Sequence, residues 1–161
     1  MSDKAVKAMA IYTELIGQEE GVGEWLKIDQ DRIDTFADAT LDHQFIHIDP
    51  EKSAELSPYK VTIAHGFLTL SLIVHLGESV MPLRPEVLDG VFMGVNYGLD
   101  KVRFPAPVPV NSKVRARHKI VDAELKGDNT IQLKREVTVE LDGEDKPVCV
   151  AESLIRYMYA D

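Results

Sequence analysis

The chain is expected to be an α+β protein in which a curved antiparallel sheet wraps around a central apolar helix. Helical periodicity prevails early in the sequence, and long β-branched, partly alternating segments prevail after residue 88. Between them lies AHGFLTLSLIVHLGESV, where Phe67, Leu68, Leu70, Leu72, Ile73 and Leu76 wrap most of a helix surface. A helix apolar nearly all round is a buried one. Residues 1–161 show no internal repeat and no linker, so one domain is expected, with an N-terminal helical extension at about 3–17.

In that extension Val6, Met9, Ala10 and Ile16 recur at helical spacing, and Gly21 and Gly23 end the element. GEWLKI then reads as a short strand. DQDRIDTFADAT reads as a helix capped by Asp29 or Asp31, with Ile33, Phe36 and Ala37 as its inner stripe. From Leu41 to Thr62 the pattern dissolves into Asp, His, Pro and Ser, a long structured loop with one helical turn at PEKSAE. The central helix follows, about residues 65–77, ended by Gly77 and Pro82. KGDN and DGED are turn sequences that join the last three strand segments into a meander. FPAPVPV carries too much proline for a central strand and is an edge or crossing segment. Such a sheet exposes an edge, which dimerisation would cover.

Composition narrows the function classes. At 161 residues and 45% hydrophobic the chain can build a core, and its formal charge of -9 repels polyanions, so no nucleic-acid partner is expected. The single cysteine, Cys149 in the alternating segment KPVCVAES, suits a buried strand position in a cytoplasmic protein. No stretch has the length or continuity of a membrane span or a signal peptide.

Three of the five histidines lie in FADATLDHQFIHIDPEKSAELSPYKVTIAHGFLTLSL. His43 and His47 have the i,i+4 spacing of some zinc sites, but the glutamate of HExxH is missing and the surroundings do not read as a helix, so no metal is expected. A nucleophile elbow and a phosphate-cradling glycine loop are both absent. General acid–base chemistry by Asp42 and His47 remains: imidazole titrates near working pH, and the nearby helix start has N–H groups without intrahelical partners.

The stretch FADATLDHQFIHIDPEKSAE with TIAHGFLTLSL resembles the hydratase 2 motif of the MaoC-like, (R)-specific enoyl-CoA hydratases, particularly their NodN-like branch. Asp42 matches the motif's aspartate, Gln44 its amide and His47 its histidine. Phe45 stands where proline is usual, and LDHQ replaces a commoner GDxN, departures that bear on substrate preference. NYGLDKVRFPAPVPVNSKVRA resembles the later strand and crossover more loosely.

The resemblance implies a hot-dog fold, a homodimer, and reversible addition of water to a trans-2-enoyl thioester of CoA or an acyl carrier, giving the (R)-3-hydroxyacyl thioester. No cofactor is implied beyond the CoA of the substrate. Asp42 and His47 would activate water jointly, and the Gly66 N–H would hold the oxyanion. Substrate contacts are expected from Gln44, His65, Asn96, Tyr97 and Arg103, with His65 also holding the loop through a backbone hydrogen bond. His43 and His75 are expected at the surface. Lys113, Arg115 and Arg117 alternate on one face of a strand, where they can be solvated or meet phosphate. The rival readings are a non-catalytic acyl-thioester binding module and a hot-dog thioesterase.

Overall fold

The computed structural model describes residues 2–160. Helix α1 (Asp3–Leu15) is capped by the Ser2 side chain, which accepts from the Ala5 N–H. Its buried face is Ala5, Ala8, Tyr12 and Leu15, whereas Val6 and Ile16 of the expected stripe are exposed. The small alanines let the helix axis approach the sheet, and Tyr12 then fills the space against Ile120, Ile131, Leu133 and Tyr159. Close approach, rather than the bulkiest apolar positions, set the buried face.

Strands β1 (Glu19–Val22) and β2 (Leu26–Lys27) both pair antiparallel with β4 (Lys113–Lys126). Only Leu26 and Lys27 of GEWLKI are strand. β1 was not legible, because Glu-Glu-Gly has poor strand propensity and is held by its neighbour. Helix α2 (Gln30–Thr40) starts where the Asp29 carboxylate accepts from Arg32 N–H at 3.1 Å, and it stops at Leu41 in a left-handed conformation. Its inner face is Ile33 and Ala37, with Phe36 packed beside them.

The expected loop contains two short helices, α3 (Phe45–Ile48) and α4 (Pro50–Leu56). Asp49 joins them, its carboxylate accepting from Lys52 N–H at 2.9 Å while Pro50 takes the first helical position. α3 escaped the sequence reading because four residues carry no periodicity.

The central helix is broken in two, α5 (Gly66–Ser71) and α6 (Ile73–Gly77), at Leu72, whose N–H is shared by the Leu68 and Leu70 carbonyls. Leu68, Ile73 and Leu76 enter the core, but Phe67 is 67% and Val74 54% exposed. The expected burial on nearly every side is thus met on the sheet side only.

β3 (Val91–Arg103), β4, β5 (Thr130–Leu141) and β6 (Cys149–Tyr159) complete a six-stranded antiparallel sheet of order β1-β4-β5-β6-β3. The β4–β5 and β5–β6 turns place Gly127 and Gly143 at φ 67° and 83°, a region glycine enters at little cost. Inward-facing Val114, Ala116, Val137, Val139, Cys149 and Ala151 pack on the central helix as the main core, each Val contributing roughly 1.5–3 kcal/mol by burial. Residues 104–110 cross outside the strands, as expected. There Val108 accepts from Ala64 N–H at 2.8 Å and Val110 donates to Thr62 at 2.9 Å. That crossing straps down the segment leading into α5.

Candidate active site

His47 sits at the end of α3 and is only 7% exposed. Its Nδ1 lies 2.7 Å from the Ile63 carbonyl oxygen. A carbonyl can only accept, so Nδ1 carries the proton and Nε2 keeps its lone pair. Gln30 holds the other side of this turn: its amide donates to the His47 carbonyl and to Asp34, each at 2.7 Å, and its oxygen accepts from Thr62 at 2.6 Å. Burial pushes the His47 pKa below the ordinary imidazole value, and His65 adds to this, while the Ile63 carbonyl and Asp42 oppose it. The result is a neutral imidazole with one free basic nitrogen.

His65 precedes α5 and is 3% exposed. Its Nε2–H donates to the Asp42 backbone carbonyl at 2.9 Å. Its ring stacks on His47 with centroids 3.7 Å apart and lies 5.1 Å from the Phe36 ring. His65 therefore fixes the loop that carries Asp42 and one face of His47 together. The Asp42 carboxylate is solvent-facing, 4.0 Å from His65 Nε2. One ligand-type atom from each of Asp42, His47 and His65 lies within 4.8 Å of the others. Such a cluster could attract a cation, but two stacked rings aim their lone pairs side by side rather than at one point, and His65 Nε2–H is already committed to a carbonyl.

Gly66 follows at the helix start. A Cβ there would lie 2.9 Å from the Phe104 ring, so glycine lets the aromatic ring close over the backbone. His47, Gly66, Thr69, Tyr59, Phe104 and Pro105 line one cavity of about 270 Å³. A base and a helix start thus share a half-apolar mouth, and the exposed Asp42 carboxylate clusters with that base outside the cavity lining, groups of the kind that move protons beside a developing oxyanion.

The remaining expected residues spread out. Gln44 is exposed at the start of α3, where its carbonyl accepts from His47 N–H at 2.9 Å. Asn96 lines a different cavity, at the far end of the central helix. Tyr97 lies under the Arg156 guanidinium at 3.4 Å, and Arg103 donates to its neighbour's carbonyl. This chain alone does not bring Asn96, Tyr97 or Arg103 to the His47 mouth. His43 pairs with Asp38 and His75 with Glu78 at the surface. Arg115 and Arg117 share a face and are both held by Glu140, with Arg117 also reaching Glu19. Gln30, Thr62 and the Ile63 carbonyl carry the site and were missed. Their signal is tertiary, since Gln30 precedes His47 by 17 residues and a carbonyl has no residue signature.

A broken central helix cupped by an antiparallel sheet defines a hot-dog protein, with a fixed-tautomer imidazole beside a carboxylate at the start of that helix. The chain belongs to the MaoC-like domain family, whose model matches residues 12–143. It is 44% identical over 155 residues to 3-hydroxyacyl-thioester dehydratase Z of Mycobacterium tuberculosis, covering 96% of this chain and 99% of that protein. It is 49% identical over 136 residues to Nodulation protein N of Rhizobium leguminosarum bv. viciae, covering 84% and 82%. In fold it is similar to the (R)-hydratase PhaJ1 of Pseudomonas aeruginosa in its unliganded form. That match has a TM-score of 0.65 at 23% identity and covers 92% of this chain and 86% of the other.

Proposed function

We propose that the chain is a hydro-lyase that interconverts a trans-2-enoyl thioester and the (R)-3-hydroxyacyl thioester. The observation that carries this reading is the His47 tautomer: Nδ1–H is committed to Ile63, leaving Nε2 as a base on a ring that clusters with the Asp42 carboxylate. In the hydration direction a water held by Asp42 and His47 loses a proton to the pair as its oxygen bonds C3. The proton delivered to C2 comes from the same pair, so the balance closes without a cofactor. Charge on the thioester oxygen falls to the Gly66 N–H, which no other described group engages. An oxyanion donor of this type contributes about 3–4 kcal/mol.

The reading includes a cytoplasmic homodimer acting on CoA or acyl-carrier thioesters. β3 is an edge strand bearing exposed Phe92, Tyr97 and Leu99, and Phe67 and Val74 face outward from the central helix. A second copy would cover both. It would also add groups to the mouth, which in one chain lacks Asn96, Tyr97 and Arg103. No helix among the described residues is long and apolar enough to cross a membrane.

The test follows loss of enoyl-thioester absorbance with crotonyl-CoA and a longer homologue while free thiol is measured in parallel. Hydration without thiol release, lost in Asp42→Ala and His47→Ala, is expected. Thiol release would replace this reaction with a thioesterase, and no turnover at any chain length would leave a binding module.

A further inference from the structure

A second cavity of the chain lies away from His47. A space of about 330 Å³ lies between the sheet and α6, sharing no lining residue with the His47 mouth. It sits by Gly77, eleven residues beyond Gly66, or about 16 Å along a helix axis. Val74, Val80, Met81, Leu88 and Ile155 form apolar walls. The floor is different. On β5 and β6, Arg135, Ser153 and Tyr157 take positions that alternation turns toward the helix, where Val137 and Ile155 sit on the same rows.

Arg135 is held by both oxygens of Glu20, whose side chain is 3% exposed, and its Nη1 donates to the Tyr157 hydroxyl at 3.2 Å. His118, 8% exposed, completes the floor, and its Nε2 has no hydrogen-bond partner. Gly77 rests directly on that ring, since a Cβ there would lie 3.0 Å from His118 Cε1. A buried ion pair with an unpaired imidazole is poor filler, because apolar residues of the same volume stabilise a fold as well or better. Arg135 and Tyr157 keep spare hydrogen-bonding capacity: three of the five guanidinium N–H groups are used, and the Tyr157 hydroxyl, accepting from Arg135, retains its own proton to donate.

We propose that this cavity is a second ligand subsite, which takes an apolar chain bearing a neutral oxygen acceptor such as a ketone, amide or hydroxyl. The apolar walls hold the chain, and Tyr157 and Arg135 meet the oxygen, with His118 packed beneath Gly77 in the floor. Neutrality follows from charge: Glu20 already answers Arg135, and Glu78 lies on the rim, so a carboxylate finds no unpaired cation. Burial, aided by the nearby Arg135, also favours the uncharged form of His118. The same chemistry can arrive as a free molecule or as the far part of an acyl chain. The second source rests on the proposed reaction; the site itself does not.

Hexan-2-one and hexanoate are titrated into the full chain labelled at methionine methyls and histidine rings, with Met81 and His118 read by NMR. Saturable shifts with hexan-2-one are expected, with hexanoate about tenfold weaker. Tyr157→Phe should weaken the ketone about tenfold, the weight of one neutral hydrogen bond. That variant keeps the shape of the floor, and Met81 and His118 both still report on binding. Enoyl-thioester turnover in the presence of the ketone then separates the sources: competitive inhibition at the binding concentration assigns an acyl chain, and unchanged turnover assigns a free ligand. No saturable shift, or unchanged ketone binding in Tyr157→Phe, overturns the proposal even if hydration proceeds normally.

Discussion

The two ends of the central helix each hold a buried histidine, and they solve the burial of an imidazole in opposite ways. At the α5 end, loop residues surround His47 and backbone carbonyls set its chemistry: Ile63 takes Nδ1–H, and the Asp42 carbonyl takes the proton of the stacked His65. At the α6 end, strand residues surround His118, and charged side chains do the work, with Glu20 and Arg135 paired beside a ring nitrogen that has no partner. Carbonyl partners fix a tautomer without adding net charge, which suits a base that must gain and lose a proton. A side-chain ion pair holds a fixed polar surface, which suits binding. Burial shifts both imidazoles downward, so the partners, not the burial, distinguish the two ends.

The sharpest way to break this contrast is His47→Ala. With no base at the α5 end, turnover should drop roughly 10²- to 10⁴-fold while thermal unfolding shifts little. Retained activity would falsify the assignment of His47. Arg135→Ala attacks the other end, leaving Glu20 buried and unanswered. Unfolding in denaturant should show a loss of about 3–5 kcal/mol, and replacing both partners by Met should restore most of it. If the single variant is as stable as the parent, the pair is solvated and the contrast between the ends fails.

His65 separates packing from positioning. His65→Gln keeps a donor able to reach the Asp42 carbonyl, whereas His65→Leu keeps only bulk. The Gln variant should hold kcat within about tenfold and the Leu variant should lose more, by at least the roughly 1 kcal/mol of that hydrogen bond. Equal losses in both would show that the stack on His47, and not the loop hydrogen bond, is what matters.

The smallest effect is on pH dependence. His47 and His118 have folded-state pKa values below the ordinary imidazole value, so below about pH 6.5 the unfolded chain binds more protons. Stability should be full above that pH and decline as pH falls toward the folded values. His118→Phe should flatten part of that decline in a series of melting curves, and an unaltered slope would mean that His118 does not contribute. For the same reason the acid limb of turnover, set by protonation of His47, should lie below about pH 6.5.

The sequence by itself determined the main helices and the long strands of the meander, the glycine turns between them and the aspartate cap of α2, because these depend on near neighbours and on simple periodicity. It also marked Asp42, His47 and Gly66, whose residue types and spacing carry the family motif. Tertiary structure alone decided the rest. The buried face of α1 turned toward Ala5 and Ala8 because close packing favoured small residues. The central helix broke at Leu72 and was left half uncovered by a sheet that reaches only one side. The tautomer of His47 came from a carbonyl sixteen residues away, and the polar floor by His118 from strands separated by more than a hundred residues, Glu20 to Arg135. Hydrogen bonds and ion pairs across such distances leave no local pattern, since either partner alone is an ordinary strand or loop residue until the fold brings them together.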